Sequence, residues 1–159
     1  MHKFKYKIFT VVSTDKKPGG ISAMIQTSSE ALSINCREIN LVLTSSILKN
    51  QEFLESLKNI KNIVIKNISF VDRYFFKLSF ISNSIKDSLK KSDIIFVHNS
   101  KLLKLIREHY PKKKIILFFH TDKLTQLKEL RFADKVVAVN TTMQKRINAM
   151  YYKKAIYIP

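Results

Sequence analysis

The chain has 159 residues, 45% of them apolar, and this composition excludes a disordered protein because it can fill the core of one domain. Its single cysteine, Cys36, excludes an internal disulfide. Its longest apolar run, residues 115–119, is far shorter than the roughly 20 residues of a membrane-spanning helix. These features predict a cytoplasmic protein.

The net charge is +17, from 29 basic and 12 acidic residues. Such an excess attracts anions, including phosphates, lipid headgroups and nucleic acid, but does not choose among them. AT-rich coding would also produce a lysine-rich composition. Selection for anion binding and compositional bias therefore both stay open as explanations of the charge.

Strand-like and helix-like segments alternate along the chain. Short β-branched or apolar runs predict strands at residues 6–12, 39–43, 63–65, 93–97, 115–119, 135–139 and 155–158. Apolar stripes at helical spacing predict helices that start at Gly20, span residues 53–60, 78–89 and 102–106, and begin near Thr141, where Gln144 completes a capping box. The run at 115–119 has no polar alternation, so it is predicted at the centre of the sheet.

Seven short strands alternating with helices indicate βαβ crossovers. The predicted fold is α/β, a Rossmann-like, doubly wound parallel sheet of about seven strands in a three-layer αβα arrangement, forming a single domain. Ligands of such sheets bind outside the carboxyl ends of the strands. The residues that follow each strand are therefore the candidate functional residues.

Both glycines of the chain, Gly19 and Gly20, lie between the first predicted strand and its helix. Residues without a Cβ can adopt positive φ and let a ligand approach the backbone, and free amides at the start of a helix favour a phosphate. A tight turn without a ligand is the simpler explanation. The sequence matches neither GxxxxGK[ST] nor GxGxxG.

His98 and His120 each follow an apolar strand, which places both at the predicted ligand-binding edge. A histidine there can contact a sugar hydroxyl or a phosphate, whereas a structural histidine bonded to a neighbouring loop is the alternative for both. Asp122 could orient His120 or cap the next helix, and the cap is favoured. No carboxylate or thiol stands at metal-ligand spacing from either histidine, so no metal site is predicted.

Tyr74, Phe75, Phe76 and Phe80 form an aromatic cluster in the sequence. They are expected in the core, or at an exposed edge that meets a partner, rather than as a platform on which bases stack. The sequence also lacks RNP, zinc-finger and helix-turn-helix signatures. Nucleic acid is therefore not a favoured partner.

Four segments follow one another in a recognisable order. PGGI at residues 18–21 forms a glycine loop after the first strand, and SDIIFVHN at 92–99 and ILFFHT at 116–121 are strands that end in a histidine. FADKVVAVN at 132–140 carries Ala-Asp at residues 133–134 and ends in Asn140, where a serine is usual. Together they resemble the amino-terminal domain of the retaining, nucleotide-sugar-dependent glycosyltransferases of the GT-B architecture, the group 1 or family 4 type.

The resemblance implies roles for individual residues. His120 is implied as the catalytic residue beside the transferred sugar, and the glycine loop is implied to approach the donor diphosphate and the acceptor. The implied substrate- and phosphate-binding residues are Gly19, Gly20, Ile21, His98, Asn99, Thr121 and Asn140.

The resemblance covers nearly the whole chain and implies that residues 1–159 are one amino-terminal GT-B domain. Residues 154–159 are similar to the strand before the linker to the second domain, so the carboxyl-terminal donor-binding domain is expected to be absent from this chain. The donor of the complete enzyme is implied to be a nucleotide-sugar, with no cofactor or metal. Because such catalysis depends on positioning and on stabilising diphosphate charge, the isolated chain is expected to be inactive.

The expected function is therefore the acceptor-binding half of a glycosyltransferase that acts on a glycan or lipid-linked acceptor, as in cell-envelope glycan biosynthesis. The expected partners are that acceptor, a donor-domain chain or a second copy, and an anionic membrane surface suggested by the +17 charge, on whose inner face the protein would be peripheral. The alternative is a stand-alone basic protein that binds phosphorylated ligands or nucleic acid at the same edge of the sheet.

Overall fold

The computed structural model describes residues 7–16, 19–120, 124–151 and 154–158. Seven strands lie within these ranges: β1 Ile8–Ser13, β2 Glu38–Thr44, β3 Ile63–Ile68, β4 Ile94–Val97, β5 Lys114–Phe119, β6 Lys135–Ala138 and β7 Ala155–Tyr157. They pair in parallel in one sheet, in the order β3-β2-β1-β4-β5-β6-β7. The predicted Rossmann-like α/β fold is confirmed.

Helices connect the strands. Within the described ranges the α-helices are α1 Gly20–Ser33, α2 Ser45–Leu48, α3 Gln51–Lys58, α4 Phe70–Lys77, α5 Asn83–Lys91, α6 Leu103–His109 and α7 Thr141–Met150. Two 3₁₀ helices span Ser100–Leu102 and Leu124–Phe132. None of the helices in this part of the chain is long and apolar enough to cross a bilayer.

Alternating side chains of the strands form two cores, one on each face of the sheet. Phe9 and Val11 belong to the first core, which α1, α2 and α3 cover over β1, β2 and β3. Val12, Val97 and Leu117 belong to the second core, beneath α5, α6 and α7. Because helices cover both faces, the sheet is doubly wound.

The middle strand of the sheet is β4 rather than β5. β5 pairs with β4 on one side and with β6 on the other. The prediction that residues 115–119 lie at the centre is wrong by one strand. The reason is that a strand next to the centre is also covered on both faces and carries the same uninterrupted apolar pattern.

The helix predicted through residues 78–89 forms only from Asn83, as α5, and Leu78 instead follows the end of α4, a helix that was not predicted. Between α4 and α5, Ser79 has a φ of 62°, a left-handed conformation that interrupts a helix. The N–H of Phe80 bonds back to the carbonyl of Phe75 at 2.9 Å. Leu78 is therefore exposed, whereas the rest of the predicted stripe is buried: Ile81, Ile85 and Leu89.

Two aspartates fix the amino-terminal edge of the sheet. Asp93, just before β4, accepts a hydrogen bond from the N–H of Ile8 at 2.8 Å, and this bond is the main reason that the pKa of Asp93 is lowered. Asp134, just before β6, accepts the N–H of Ile115 and the guanidinium of Arg107, each at 2.7 Å. These two carboxylates are therefore structural, at the edge opposite to the candidate ligand-binding edge.

Candidate functional site

The carboxyl ends of β1, β4 and β5 lie side by side and open into a cleft of about 470 Å³. The predicted site residues Ile21, His98, Asn99 and His120 all line this cleft. Polar residues that were not predicted complete its lining, among them Asp15, Ser100, Lys101 and Gln126. The structure thus brings four segments of the chain together at the predicted edge of the sheet.

His98 and His120 are in direct contact. Nδ1 of His98 lies 3.0 Å from Nε2 of His120. The ring of His98 stacks on Phe118 with a centroid distance of 4.9 Å and an interplanar angle of 3°, and only 4% of His98 is exposed. His120 is half-buried and lines the cleft. His98 is therefore a buried positioning residue, and His120 is the histidine that a ligand can reach.

Both imidazoles are neutral at neutral pH. Burial, with a smaller contribution from the charge of His120, lowers the pKa of His98 from 6.5 to about 3. Burial also lowers the pKa of His120, although the nearby carboxylate of Asp15 opposes this shift. The pair consequently acts through hydrogen bonds rather than through positive charge.

The contact between the histidines assigns their protons. Nε2 of His98 is buried and has no hydrogen-bond partner among the described residues. A proton on that nitrogen would be an unsatisfied buried donor, so we assign the proton to Nδ1 of His98, which donates to Nε2 of His120. A neutral His120 then carries its own proton on Nδ1, where it can donate to an oxygen of a ligand.

Asp15 adds a carboxylate to the cleft. Its Oδ2 accepts from the hydroxyl of Ser13 at 2.8 Å, and the side-chain amide of Asn99 lies 3.5 Å from both of its carboxylate oxygens. Asn99 also accepts the N–H of Thr14 at 2.7 Å, and the hydroxyl of Thr44 donates to the carbonyl of Asp15. Asn99 therefore holds the loop after β1. Its place just after the first strand makes Asp15 one of the candidate residues at strand ends, but no role was predicted for it.

Three further polar residues line the cleft and were not predicted. The hydroxyl of Ser100 donates to Oε1 of Gln126 at 2.7 Å, which ties the segment after β4 to the segment after β5. Lys101 is exposed and adds a positive charge. Ser100 and Lys101 directly follow Asn99, so the strand-end position could have identified them, whereas no sequence pattern singles out Gln126.

The glycine pair lies at the start of α1, and both residues are exposed. Neither glycine adopts the left-handed conformation that favours glycine, and Gly19 is extended with φ 170°. The explanation by a left-handed φ is therefore wrong. A Cβ on either residue would meet no atom within 4 Å. Ile21 lines the cleft, whereas Gly20 lines a separate apolar groove of about 530 Å³ between α1 and the sheet at Phe118.

Asn140 lies outside the cleft. Its Oδ1 accepts the N–H of Met143 at 2.8 Å and thereby caps α7, so the predicted capping box at Thr141 is placed one residue too late. Asn140 lines an adjacent pocket of about 210 Å³ together with Arg146. Phe119 borders both this pocket and the cleft. The structure therefore gives Asn140 a helix-capping contact beside the site.

The predicted roles of Pro18, Thr121 and Asp122 remain predictions, because these residues lie outside the described ranges. Within those ranges, no group of three or more histidines, cysteines, aspartates or glutamates is arranged to hold a metal ion.

No family model and no curated protein matches the sequence. Solved structures do match. Anabaena Alr3699/HepE in complex with UDP and glucose superposes with a TM-score of 0.65 at 12% identity. The lipopolysaccharide outer core galactosyltransferase WaaB, in its apo form, superposes with a TM-score of 0.62 at 15% identity. The chain has a glycosyltransferase-like fold.

These matches differ in how much of each neighbour they cover. HepE and WaaB each match 96% of this chain, but the chain spans only 44% of HepE and 46% of WaaB, less than half of their length. The FMN-dependent cysteine decarboxylase TvaF from thioviridamide biosynthesis has a TM-score of 0.54 at 15% identity and covers 93% of this chain and 97% of its own. At such identities the likeness establishes the fold alone.

Proposed function

We propose that this chain is the acceptor-binding half of a glycosyltransferase that transfers a sugar from a nucleotide-sugar to a glycan or lipid-linked acceptor. The observation that carries the proposal is the contact between His98 and His120, which presents a neutral N–H donor in the same cleft as the carboxylate of Asp15. The likeness to WaaB, a galactosyltransferase, and to HepE, which was crystallised with UDP and glucose, supports it.

The polar groups of the cleft suit a sugar, because sugar hydroxyls both donate and accept hydrogen bonds. The carboxylate of Asp15 accepts, and Nδ1–H of His120 donates. Lys101 adds a positive charge. Ile21, which lines the cleft, belongs to the first turn of the 14-residue helix α1, whose first amides favour a phosphate. In this proposal His120 orients a sugar hydroxyl at the point of transfer, while Asn99 keeps the loop of Asp15 in place.

A donor-binding domain, in a longer polypeptide or on a partner chain, completes the proposed enzyme. Transfer breaks the bond between the sugar and the diphosphate, and stabilising the negative charge that develops on the diphosphate is usually the largest catalytic contribution. We assign that task to the donor domain. The isolated chain is consequently proposed to bind acceptor without turning over.

A stand-alone protein that binds a phosphorylated ligand is the second candidate function. The observation that favours it is the match to FMN-dependent TvaF, which extends over 97% of that protein's length. A chain of this fold and size can therefore be a complete enzyme that depends on a phosphorylated molecule. Such a ligand would use the same cleft at the carboxyl ends of β1, β4 and β5.

Nuclear magnetic resonance of the chain with ¹⁵N-labelled histidine separates the two candidates. The probes are a panel of methyl glycosides, UDP-glucose and FMN. We expect glycosides to shift the signals of His98 and His120, and His120→Ala to abolish their binding. His109→Ala is the matched control, because His109 is an exposed histidine at the end of α6. Binding of FMN without any binding of glycosides or UDP-glucose would contradict the proposal and favour the second candidate.

A further inference from the structure

The helix α4 presents large apolar side chains to solvent. Phe70 is 82% exposed, and Phe80, just beyond the helix, is 60% exposed. We call the exposed apolar residues on and beside this helix the α4 surface: Phe70, Val71, Tyr74, Phe75, Leu78 and Phe80. Side chains of this kind are mostly buried in soluble domains, and a contiguous exposed group of them marks an interaction site.

The α4 surface does not hold its own helix in place. Ser69 and Asp72 form a capping box, in which the carboxylate accepts the N–H of Ser69 at 2.8 Å and the hydroxyl accepts the N–H of Asp72 at 3.1 Å. Phe76 lies on the opposite side of the helix and packs against the core. The cap and Phe76 fix the helix, and its exposed face stays available to a partner.

The charges around the α4 surface are positive. Residues 66–80 contain three basic residues, Lys66, Arg73 and Lys77, and one acidic residue, Asp72. Asp72 is buried and its carboxylate is engaged in the cap. The charge that remains outside is therefore basic.

This charge favours a lipid bilayer over a second copy of the chain. Two chains of +17 repel each other, so an isologous contact through two α4 surfaces brings like charges together. An anionic bilayer attracts the same basic side chains and also accepts exposed aromatic rings at the level of its headgroups.

We propose that the α4 surface docks the protein on an anionic lipid bilayer. The apolar side chains of α4 enter the headgroup region, and Arg73 and Lys77 lie at the lipid phosphates.

The helix α4 lies near the cleft, because it follows β3 at the same edge of the sheet. β3 is two strands away from β1, whose carboxyl end borders the cleft, and this separation is about 10 Å. Docking through α4 brings the cleft close to the membrane. This last step rests on the proposed function and narrows its acceptor to a lipid-linked one.

Sedimentation of the whole chain with lipid vesicles tests the docking. We expect binding to vesicles of phosphatidylcholine with phosphatidylglycerol and not to phosphatidylcholine alone. Replacing both Phe70→Ser and Phe80→Ser is expected to weaken binding roughly tenfold or more. Replacing both Arg73→Gln and Lys77→Gln is expected to weaken it about tenfold, more at low salt than at high salt.

Matched control variants lie elsewhere on the surface. Ile34→Ser removes a side chain that is 78% exposed just after α1, and Lys112→Gln removes an exposed charge before β5. Both are expected to bind anionic vesicles as the unchanged chain does. Losses equal to those of the α4 variants, or equal binding to neutral vesicles, would overturn the proposal. Self-association that the two phenylalanine substitutions abolish would also overturn it, because the surface would then belong to a second copy.

Two further measurements distinguish a failure of membrane docking from misfolding of a variant and from a failure of the proposed function. Circular dichroism of each variant establishes that it folds, and the arginine and lysine substitutions, which remove no apolar contact, repeat the test if the phenylalanine variants do not fold. Glycoside binding in solution, without lipid, reports on the proposed function independently. A chain that binds glycosides but not anionic vesicles overturns the docking and leaves the proposed function standing.

Discussion

His98 shows how burial at a single residue determines the chemistry of its neighbour. Its ring is held between Phe118 and His120, and one of its nitrogens contacts no partner among the described residues. Protonation of His98 would bury a positive charge, so its imidazole stays neutral. Its single N–H, on Nδ1, then donates to Nε2 of His120. The N–H that His120 offers to the cleft is therefore set by a residue that no ligand needs to touch.

Acidification is expected to destabilise the protein through His98. The pKa of His98 is 6.5 in the unfolded chain and about 3 in the folded protein, so below pH 6.5 the unfolded chain takes up a proton that the folded protein does not. The contribution of His98 to the free energy of unfolding is complete above pH 6.5 and is lost progressively toward pH 3. Between pH 7 and pH 5 this loss is about 2 kcal/mol.

Urea unfolding across this pH range measures the effect. His120 adds to the slope in the same direction, because its pKa is also lowered. His98→Gln should reduce the slope. A free energy of unfolding that does not vary between pH 7 and pH 5 would contradict a neutral, buried His98.

Among the elements, the two ends of the strands differ in role: the residues at the amino ends stabilise the sheet, and the residues at the carboxyl ends line the cleft. At the amino ends, Asp93 and Asp134 accept backbone N–H groups of the neighbouring strands β1 and β5. At the carboxyl ends, β1, β4 and β5 lead into the polar residues of the cleft. Two of the segments that carry the family resemblance, residues 92–99 and 132–140, therefore each contain, just before the strand, an aspartate that fixes the sheet.

Asp134→Ala is expected to destabilise the protein while leaving the cleft unchanged. The substitution removes the acceptor of the N–H of Ile115, a fully buried residue, and the partner of Arg107, and should cost about 1–3 kcal/mol. Thermal unfolding measures this cost. Asp87→Ala, at an exposed aspartate on α5, is the control and should change stability little. Equal losses from both variants, or weakened glycoside binding by the Asp134 variant, would contradict a structural role.

At the scale of the whole molecule, the described chain forms one side of the proposed transfer site. It corresponds to less than half of HepE and of WaaB. The +17 charge and the α4 surface belong to this scale as well, because the proposed docking on an anionic bilayer depends on the charge and the exposed side chains of the domain as a whole.

His120→Ala is expected to lower sugar transfer about tenfold or more when the chain is reconstituted with a donor-binding half. The reason is that the variant lacks the N–H that orients the sugar hydroxyl. A radiolabelled transfer assay with His109→Ala as the matched control measures the effect. An unchanged rate would assign His120 a structural role. Transfer by the isolated chain would contradict the proposal that a donor-binding domain is needed to stabilise the diphosphate charge.

Periodicity predicted the sheet, and strand-end position predicted that His98, Asn99 and His120 share an edge. Those two predictions depend only on the hydrophobic periodicity of each segment and on the fact that βαβ units place the carboxyl ends of parallel strands at one edge of the sheet. The cap of α7 at Asn140 and the break at Ser79 depend on backbone conformations that several residue types can adopt. The contact between the two histidines could not be predicted, because it depends on the register between β4 and β5 and on the packing of Phe118.

Phe118 borders two spaces at once. Its ring stacks on His98 on the side of the cleft, and the same side chain lines the apolar groove between α1 and the sheet. Close-packed interiors transmit displacements rather than absorb them. A group that enters the groove contacts the same ring against which His98 rests, so the direction of the His120 N–H is mechanically coupled to what occupies the groove between α1 and the sheet.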